Sequence, residues 1–389
     1  MPHILFDVSR MLWRAWGGQR ATGIDRACLA YITHHRNDAL AVVQRGGFTH
    51  VLSKAASVEL FGLLLSRPKL FRRRLLALLL RSLLTRERPL HGMDRPLYLN
   101  VSHTGLDQKG HARWVRRSSV RAVYMVYDLI PLTHPQFARE GIPERHVERM
   151  RLVLKEGRGV IAISDDSLDT LSAFAGHEGL ALPSSMVAPL GVTSLVVRAD
   201  RAAPIAGPYF VILGTIEGRK NHLLLLRVWR RLIEQLGDDA PKLVIIGQRG
   251  WCAEEVFKQL DHDLTLRSHV IEVGPCDDDT LSEYMAHARA LLFPTFVEGQ
   301  GLPLTEALGA GVPAIASNLV VFKETAGGIP DYLDPEDDTG WEQAVMDYAE
   351  PESTRRAAQI ERMHGFVPPT WEAHFAKVDA WLTEQGLLP

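Results

Sequence analysis

F293-P-T-F-V-E-G-Q-G-L-P-L-T-E-A-L-G-A-G-V-P-A-I-A-S317 is the stretch that decides the fold. It begins on an apolar run of strand length, R289-A-L-L-F-P-T295, turns through several glycines, starts a helix at Leu302-Pro303 and closes on a second apolar run, V312-P-A-I-A-S317. Proline is favoured in a first helical turn, and glycine permits the tight reversal before it. Strand, turn, helix and strand in that order make one βαβ unit, which requires a parallel sheet. Two glutamates, Glu298 and Glu306, bracket the turn.

The same alternation extends in both directions. The second half offers strand-length runs at Y209-F-V-I-L-G214, K242-L-V-I-I-G247, V270-I-E-V-G274, A290-L-L-F293 and V312-P-A-I-A-S317. The first half has its own series, at I4-L-F-D-V8, A39-L-A-V-V43, L97-Y-L-N-V101, V120-R-A-V-Y-M-V-Y127, G159-V-I-A-I163 and M186-V-A-P-L190. Strand runs separated by amphipathic helices point to an α/β chain with two Rossmann-like parallel-sheet domains. The stretch Arg198–Pro208, rich in Ala, Gly and Pro, reads as the linker. The expected divisions are 1–204, 205–366 and a closing segment, 367–389. In the last, Trp371, Phe375, Val378 and Leu382 have helical spacing, and the helix is expected to pack back toward the first domain.

A chain of 389 residues suits two domains of roughly 150–200 residues. Its 44 basic and 46 acidic side chains leave a formal charge of −2, which argues against nucleic acid as a partner and against acidic disorder. Cys28, Cys252 and Cys276 form no C-x-x-C pair, so neither a zinc site nor a disulfide framework is indicated. The opening M-P-H-I-L-F-D-V reads as a strand rather than a signal peptide, and no run of 18 apolar residues occurs; a cytoplasmic protein is expected.

Against that neutral background, residues 67–88 carry eight Arg or Lys side chains and one acid, Glu87. In the wider segment 61–88, broken by Pro68, Leu76, Leu79, Leu80 and Leu83 share one helical face, with Arg74 and Arg81 on another. That is the pattern of an interfacial helix drawn to an anionic membrane surface, which would place the protein peripherally on the inner face of the plasma membrane. A core-facing helix with a solvated basic side is the alternative.

The turn holding Glu298 lies where open parallel sheets bind ligands, beyond the carboxyl ends of strands, and the helix start beside Gly301 and Pro303 offers free N–H groups to an anion. Glu306, read as lying in the first turn of that helix, can accept two hydrogen bonds from a vicinal diol such as a ribose, although a glutamate in a first turn is also favoured by the dipole alone. A second motif, G214-T-I-E-G-R-K-N-H222, sets Arg219 and Lys220 at another strand-to-helix turn of the same domain. Two cations there can offset the charge of a diphosphate and stabilise its departure without an obligatory metal. Asp277-Asp278-Asp279 satisfies a D-x-D pattern, yet it immediately precedes T280-L-S-E-Y-M and reads as a helix cap; Asp165-Asp166 likewise reads as a helix start.

These motifs, with I246-G-Q-R-G-W251 and E324-T-A-G-G328, resemble the retaining glycosyltransferases of family 4, whose GT-B architecture sets two Rossmann-like domains across a central cleft. The resemblance covers 205–350 and extends, more weakly, to T22-G-I-D-R26, V126-Y-D-L-I-P-L132, Ile163-Ser164 and A188-P-L-G-V192. It implies that Arg219 and Lys220 contact the donor diphosphate beside Gly214 and Thr215. Glu306 would hold the ribose, and Glu298 with the backbone of Gly299, Gly301, Leu302 and Pro303 would hold the donor sugar. It implies that Gly23 lets the acceptor-side loop approach the phosphate, with Arg26, His103, Tyr127 and Asp128 on the acceptor side. Two positions depart from the family. Tyr127 stands where many members have His, with His103 as a candidate replacement, and Thr215 stands where many have Arg.

The resemblance further implies transfer of a hexose from a nucleotide diphosphate sugar, with retention of stereochemistry and no required cofactor, to a lipid-linked or oligosaccharide acceptor. The E-G-R-K-N and G-Q-R-G-W spellings look like those of mannosyl- and rhamnosyltransferases of surface polysaccharides, which puts GDP-mannose first as donor and a UDP-hexose next. A GT-B nucleotide-sugar epimerase and a catalytically silent binding subunit of a polysaccharide assembly complex are the rival readings.

Overall fold

The computed structural model describes residues 3–19, 22–84, 89–192 and 201–388. The chain forms two units, one made of Met1–Leu129, Glu144–Leu190 and Trp371–Pro389, the other of Ile130–Pro143 and Gly191–Thr370. The closing helix Trp371–Glu384 thus belongs to the first unit, where its Phe375, Val378, Trp381 and Leu382 are buried. Residues 130–143 belong to the second, although more than fifty residues of the first unit follow them in the chain.

In the first unit the strands are β1 (Ile4–Asp7), β2 (Ala39–Arg45), β3 (Phe48–Val51), β4 (Leu97–Asn100), β5 (Arg121–Val126), β6 (Gly157–Ala162) and β7 (Ser184–Val187). They are ordered β3-β2-β1-β4-β5-β6-β7, parallel except for the β2–β3 hairpin. Strand β3 was not expected from the sequence. Its signal is Gly46-Gly47, both with positive φ (56° and 83°), a two-residue turn that reverses the chain at once.

The second unit contains β8 (Tyr209–Leu213), β9 (Lys242–Ile246), β10 (Val270–Glu272), β11 (Leu291–Phe293), β12 (Ala314–Ser317) and β13 (Asp331–Leu333). Their order, β10-β9-β8-β11-β12-β13, is that of a doubly wound sheet, and its direction of growth reverses between β8 and β11. Alternation along the strands feeds both faces. Phe210 and Ile212 pack with Trp229, Leu243 and Trp341 on one side, while Tyr209 and Val211 pack with Met285, Phe293 and Leu304 on the other. Such two-sided burial stabilises by about 1.5–3 kcal/mol for each large apolar side chain removed from water.

The linker expected at 198–208 and the basic run to residue 88 lie partly outside the described residues, at 198–200 and 85–88. The rest of the basic segment is two helices, Lys54–Ser66 and Phe71–Leu84, separated at Arg67 and Pro68. Phe71, Leu75 and Leu78 are buried, whereas Leu76, Leu80 and Leu83 stand about half exposed at 49%, 53% and 58%. Among the described residues no helix is long and apolar enough to cross a membrane.

Candidate donor-binding site

The reversal between β8 and β11 is the feature that builds the site. Neighbouring strands on which the sheet grows in opposite directions send their following loops apart, leaving a crevice at their carboxyl ends. The loop after β8 carries Gly214, Thr215, Arg219 and Lys220, and the loop after β11 carries Glu298 through Gly301. The structure brings the two together: Lys220 Nζ donates to Glu298 Oε1 at 2.5 Å, and Arg219 Nη1 pairs with the same oxygen at 2.5 Å. Phe296 N and Thr295 Oγ1 both donate to the Arg219 carbonyl, at 2.8 and 3.0 Å, so the two loops are also joined through the backbone.

Glu298 and Lys220 are buried. Burial raises the Glu298 carboxyl, but the charges of Arg219 and Lys220 outweigh it and hold the group below its ordinary value of 4.5. Burial also pushes Lys220 down from 10.5, opposed by the Glu298 carboxylate. The Lys220 ammonium sits 4.4 Å from the centroid of the Phe293 ring, which favours its charged form.

One residue of this cluster escaped the sequence reading. Glu217, quoted within the motif but given no role, pairs with Arg219 Nε at 2.7 Å. Arg219 and Lys220 therefore face two carboxylates, Glu217 and Glu298, and the four formal charges cancel. The sequence offers these two cations to offset a diphosphate; in the structure their N–H groups already meet carboxylates.

Glycine supplies the close approaches. Gly301 has φ +81°, and a Cβ there would lie 2.5 Å from the Phe322 ring. Gly301 leads directly into the helix Leu302–Gly309, with Pro303 in its first turn. Glu306 is the fifth residue of that helix, half-buried and past the first turn in which the sequence had placed it. Gly214 has φ +129°, and a Cβ there would lie 3.6 Å from Lys220 Cε. His222, at the start of the helix His222–Leu236, is buried with neither ring nitrogen hydrogen-bonded among the described residues. Burial first, then the neighbouring Lys220 charge, pushes its pKa to about 3, so it is neutral.

A contact invisible in the sequence holds these loops. Phe137 stacks on Phe296 with ring centroids 5.4 Å apart, and its carbonyl accepts from Trp251 Nε1 at 3.1 Å. Arg139 lies over the Trp251 ring at 4.8 Å. Residues 130–143 thus fasten the loops that carry Glu298 and G-Q-R-G-W.

The acceptor-side residues lie in the first unit, beyond the ends of β1, β4 and β5. Gly23 is exposed and opens the helix Gly23–His35 behind a Thr22–Asp25 capping box. Arg26 lies in its first turn, and Asp25 is bridged by Arg10 and Arg14, each at 2.8 Å, a pairing not foreseen. Tyr127 is buried, with its hydroxyl donated to the Val101 carbonyl at 2.7 Å. His103 is buried at φ +58°, and its Nε2 contacts the Met125 carbonyl at 2.6 Å. Asp128 is half-buried, and its carbonyl faces His146 Nε2 at 3.3 Å. In the second unit, Asp277 caps the helix Asp278–His287 by accepting from Thr280 N, as its sequence position suggested.

Residues 198–340 match the family described as "Glycosyl transferases group 1". The Escherichia coli protein described as "Serotype-specific mannosyltransferase WbdA" is 31% identical over 231 residues, which are 54% of this chain and 28% of that protein. The Escherichia coli "O-antigen chain mannosyltransferase B" is 30% identical over 164 residues, 42% of each chain. The chain spans less than a third of the length of the first curated relatives it matches. The crystal structure of Anabaena Alr3699/HepE in complex with UDP-glucose superposes with a TM-score of 0.67 at 14% identity, covering 98% of this chain and 99% of that one, a likeness of fold. The doubly wound sheet, the cation–carboxylate cluster at its switch point and the match to glycosyl transferases group 1 thus fall on the same part of the chain.

Proposed function

We propose that the chain transfers a hexose, with mannose first, from a nucleotide diphosphate sugar to a hydroxyl of a lipid-linked saccharide in surface polysaccharide synthesis. The observation that carries this reading is the meeting of Arg219, Lys220 and Glu298 at the carboxyl ends of β8 and β11. A diphosphate entering beside Gly214 and the start of the helix Leu302–Gly309 exchanges its oxygens for part of the carboxylate pairing of Arg219 and Lys220. Glu306 takes the ribose hydroxyls and Glu298, with the backbone that follows it, the sugar. Held by two cations, Glu298 is a weak base, which suits orienting a sugar hydroxyl rather than attacking the anomeric carbon. In the proposed retaining step, the bond from the anomeric carbon to the phosphate oxygen breaks as the bond to the acceptor oxygen forms on the same face. The acceptor proton passes to the departing phosphate.

GDP-mannose as donor is supported by the mannosyltransferase descriptions of the relatives; the UDP-glucose bound to HepE keeps a UDP-hexose as second choice. An anionic membrane surface as partner is supported by the exposed Leu76, Leu80 and Leu83. In the same segment a cavity of about 430 Å³ is lined by Arg67, Lys69, Arg72 and Arg73 and, among the described residues, by no acidic one. Incubation with a panel of nucleotide sugars and a lipid-linked saccharide tests the proposal. Mass spectrometry should find nucleoside diphosphate and an acceptor heavier by one hexose. Tight nucleotide binding without product would instead favour a silent binding subunit.

A further inference from the structure

Two helices of the first unit meet at a cluster that glycosyl transfer does not use. The helix Gly23–His35 ends on His34 and His35, and the helix Trp371–Glu384 presents Asp379 to them. One ligand atom from each of the three residues lies within 4.8 Å of the others, the one such set of three found among the described residues. We infer that His34, His35 and Asp379 bind one divalent transition-metal ion of the Zn²⁺ type, fastening the closing helix to the rest of the unit.

Two buried atoms of the cluster lack partners among the described residues. His35 is 94% buried, by its 6% exposure, yet among the described residues its Nε2 has no hydrogen-bond partner, and neither has the buried Oδ1 of Asp379. His34 Nε2 lies 2.8 Å from Asp379 Oδ2, which accounts for one imidazole and one carboxylate oxygen only. An Asp–His hydrogen bond without an ion leaves both orphans in place, and buried polar groups in native proteins are nearly always paired. An ion between the three side chains satisfies both.

The chemistry of the donors agrees. Two imidazoles and one carboxylate suit borderline cations such as Zn²⁺, which takes nitrogen ligands at about 2.0–2.1 Å and hence neighbouring donors roughly 3.3 Å apart. The three ligand atoms, within 4.8 Å of one another, must draw together to reach that spacing. The His34 ring is already fixed by stacking on Phe375 at 3.9 Å with planes 4° apart. Both histidines lie in the last turn of their helix, where the free carbonyls favour a cation. His34 and Asp379 remain about one-third exposed, which gives the ion a path in and leaves a fourth position to water. His34 and Asp379 are 345 residues apart in sequence, so such an ion would close a long loop.

The test uses the full chain without a polyhistidine tag, stripped of metal and titrated with Zn²⁺ or Co²⁺ alone. The expected result is one site per chain, the visible bands of tetrahedral Co²⁺, and a rise of the unfolding midpoint with Zn²⁺. His34→Gln and Asp379→Asn, at partly exposed positions and so able to fold, should each weaken binding by more than ~10-fold, the loss seen even for outer-sphere partners. They should also abolish the midpoint shift. Absence of one-to-one binding, or binding unchanged in both variants, overturns the inference.

Discussion

Glu298 accepts from two cations on a single oxygen, so its worth to the protein depends on staying ionised. A carboxyl whose folded value is depressed contributes stability that is fully present above its unfolded value and is lost as pH falls through the folded one. The stability gap between the parent and Glu298→Gln should therefore hold from neutral pH down to about 4.5 and narrow only below it, as the parent's own carboxyl protonates. Chemical denaturation across that range measures it, and a gap that is flat into strong acid would show that the charge is not what Glu298 supplies. Removing Lys220 or Glu306 takes away a charged hydrogen bond worth roughly 1.5–3 kcal/mol or more to a bound donor. Lys220→Ala and Glu306→Ala are each expected to lower turnover on the order of 10²-fold, read by steady-state kinetics; activity within a few-fold of the parent for both would remove the site assignment. That Arg219, Lys220 and Glu298 share one place was legible, because each follows a strand that ends on the same edge. The counter-charge from Glu217 was not. Two residues from Arg219 in an irregular loop, its side-chain direction follows from no periodicity.

At the scale of elements, the βαβ pattern around F293–S317 was legible because fully buried parallel strands are short, apolar and bounded by glycine. Strand β13, three half-buried residues, leaves no such run. The docking of residues 130–143 on the 251 and 296 loops joins positions more than a hundred apart, and no local rule reports it. Gly301→Ala tests the turn itself. A methyl aimed at the Phe322 ring, at a φ that penalises any side chain, should cost about 1–3 kcal/mol of stability and be visible as a lowered denaturation midpoint. The helix Phe71–Leu84 makes a separate prediction. Basic side chains near an anionic surface contribute about 1 kcal/mol each, and exposed leucines add insertion. Replacing Arg72, Arg73, Arg74 and Arg81 with Ser should weaken co-sedimentation with anionic vesicles while donor hydrolysis persists. A parent protein that ignores such vesicles at low salt would make this an ordinary surface helix.

For the whole molecule, each unit carries its own sheet and the donor cluster lies entirely in the second. With the donor's charge set against Arg219, Lys220 and a helix start, and Asp277 spent on a cap, transfer should persist in EDTA; loss of activity restored by Mn²⁺ in Asp379→Asn as in the parent would return the D-x-D motif to the site. The central claim is that the loops after β8 and β11 bind a nucleoside diphosphate sugar. Its most direct test is calorimetric titration of GDP-mannose and UDP-glucose, without acceptor, into the parent, Lys220→Ala and Glu306→Ala. The account predicts one site per chain for at least one donor, weakened on the order of 10²-fold by each substitution. Equal affinity in all three proteins, or no binding of either donor to the parent, would contradict it.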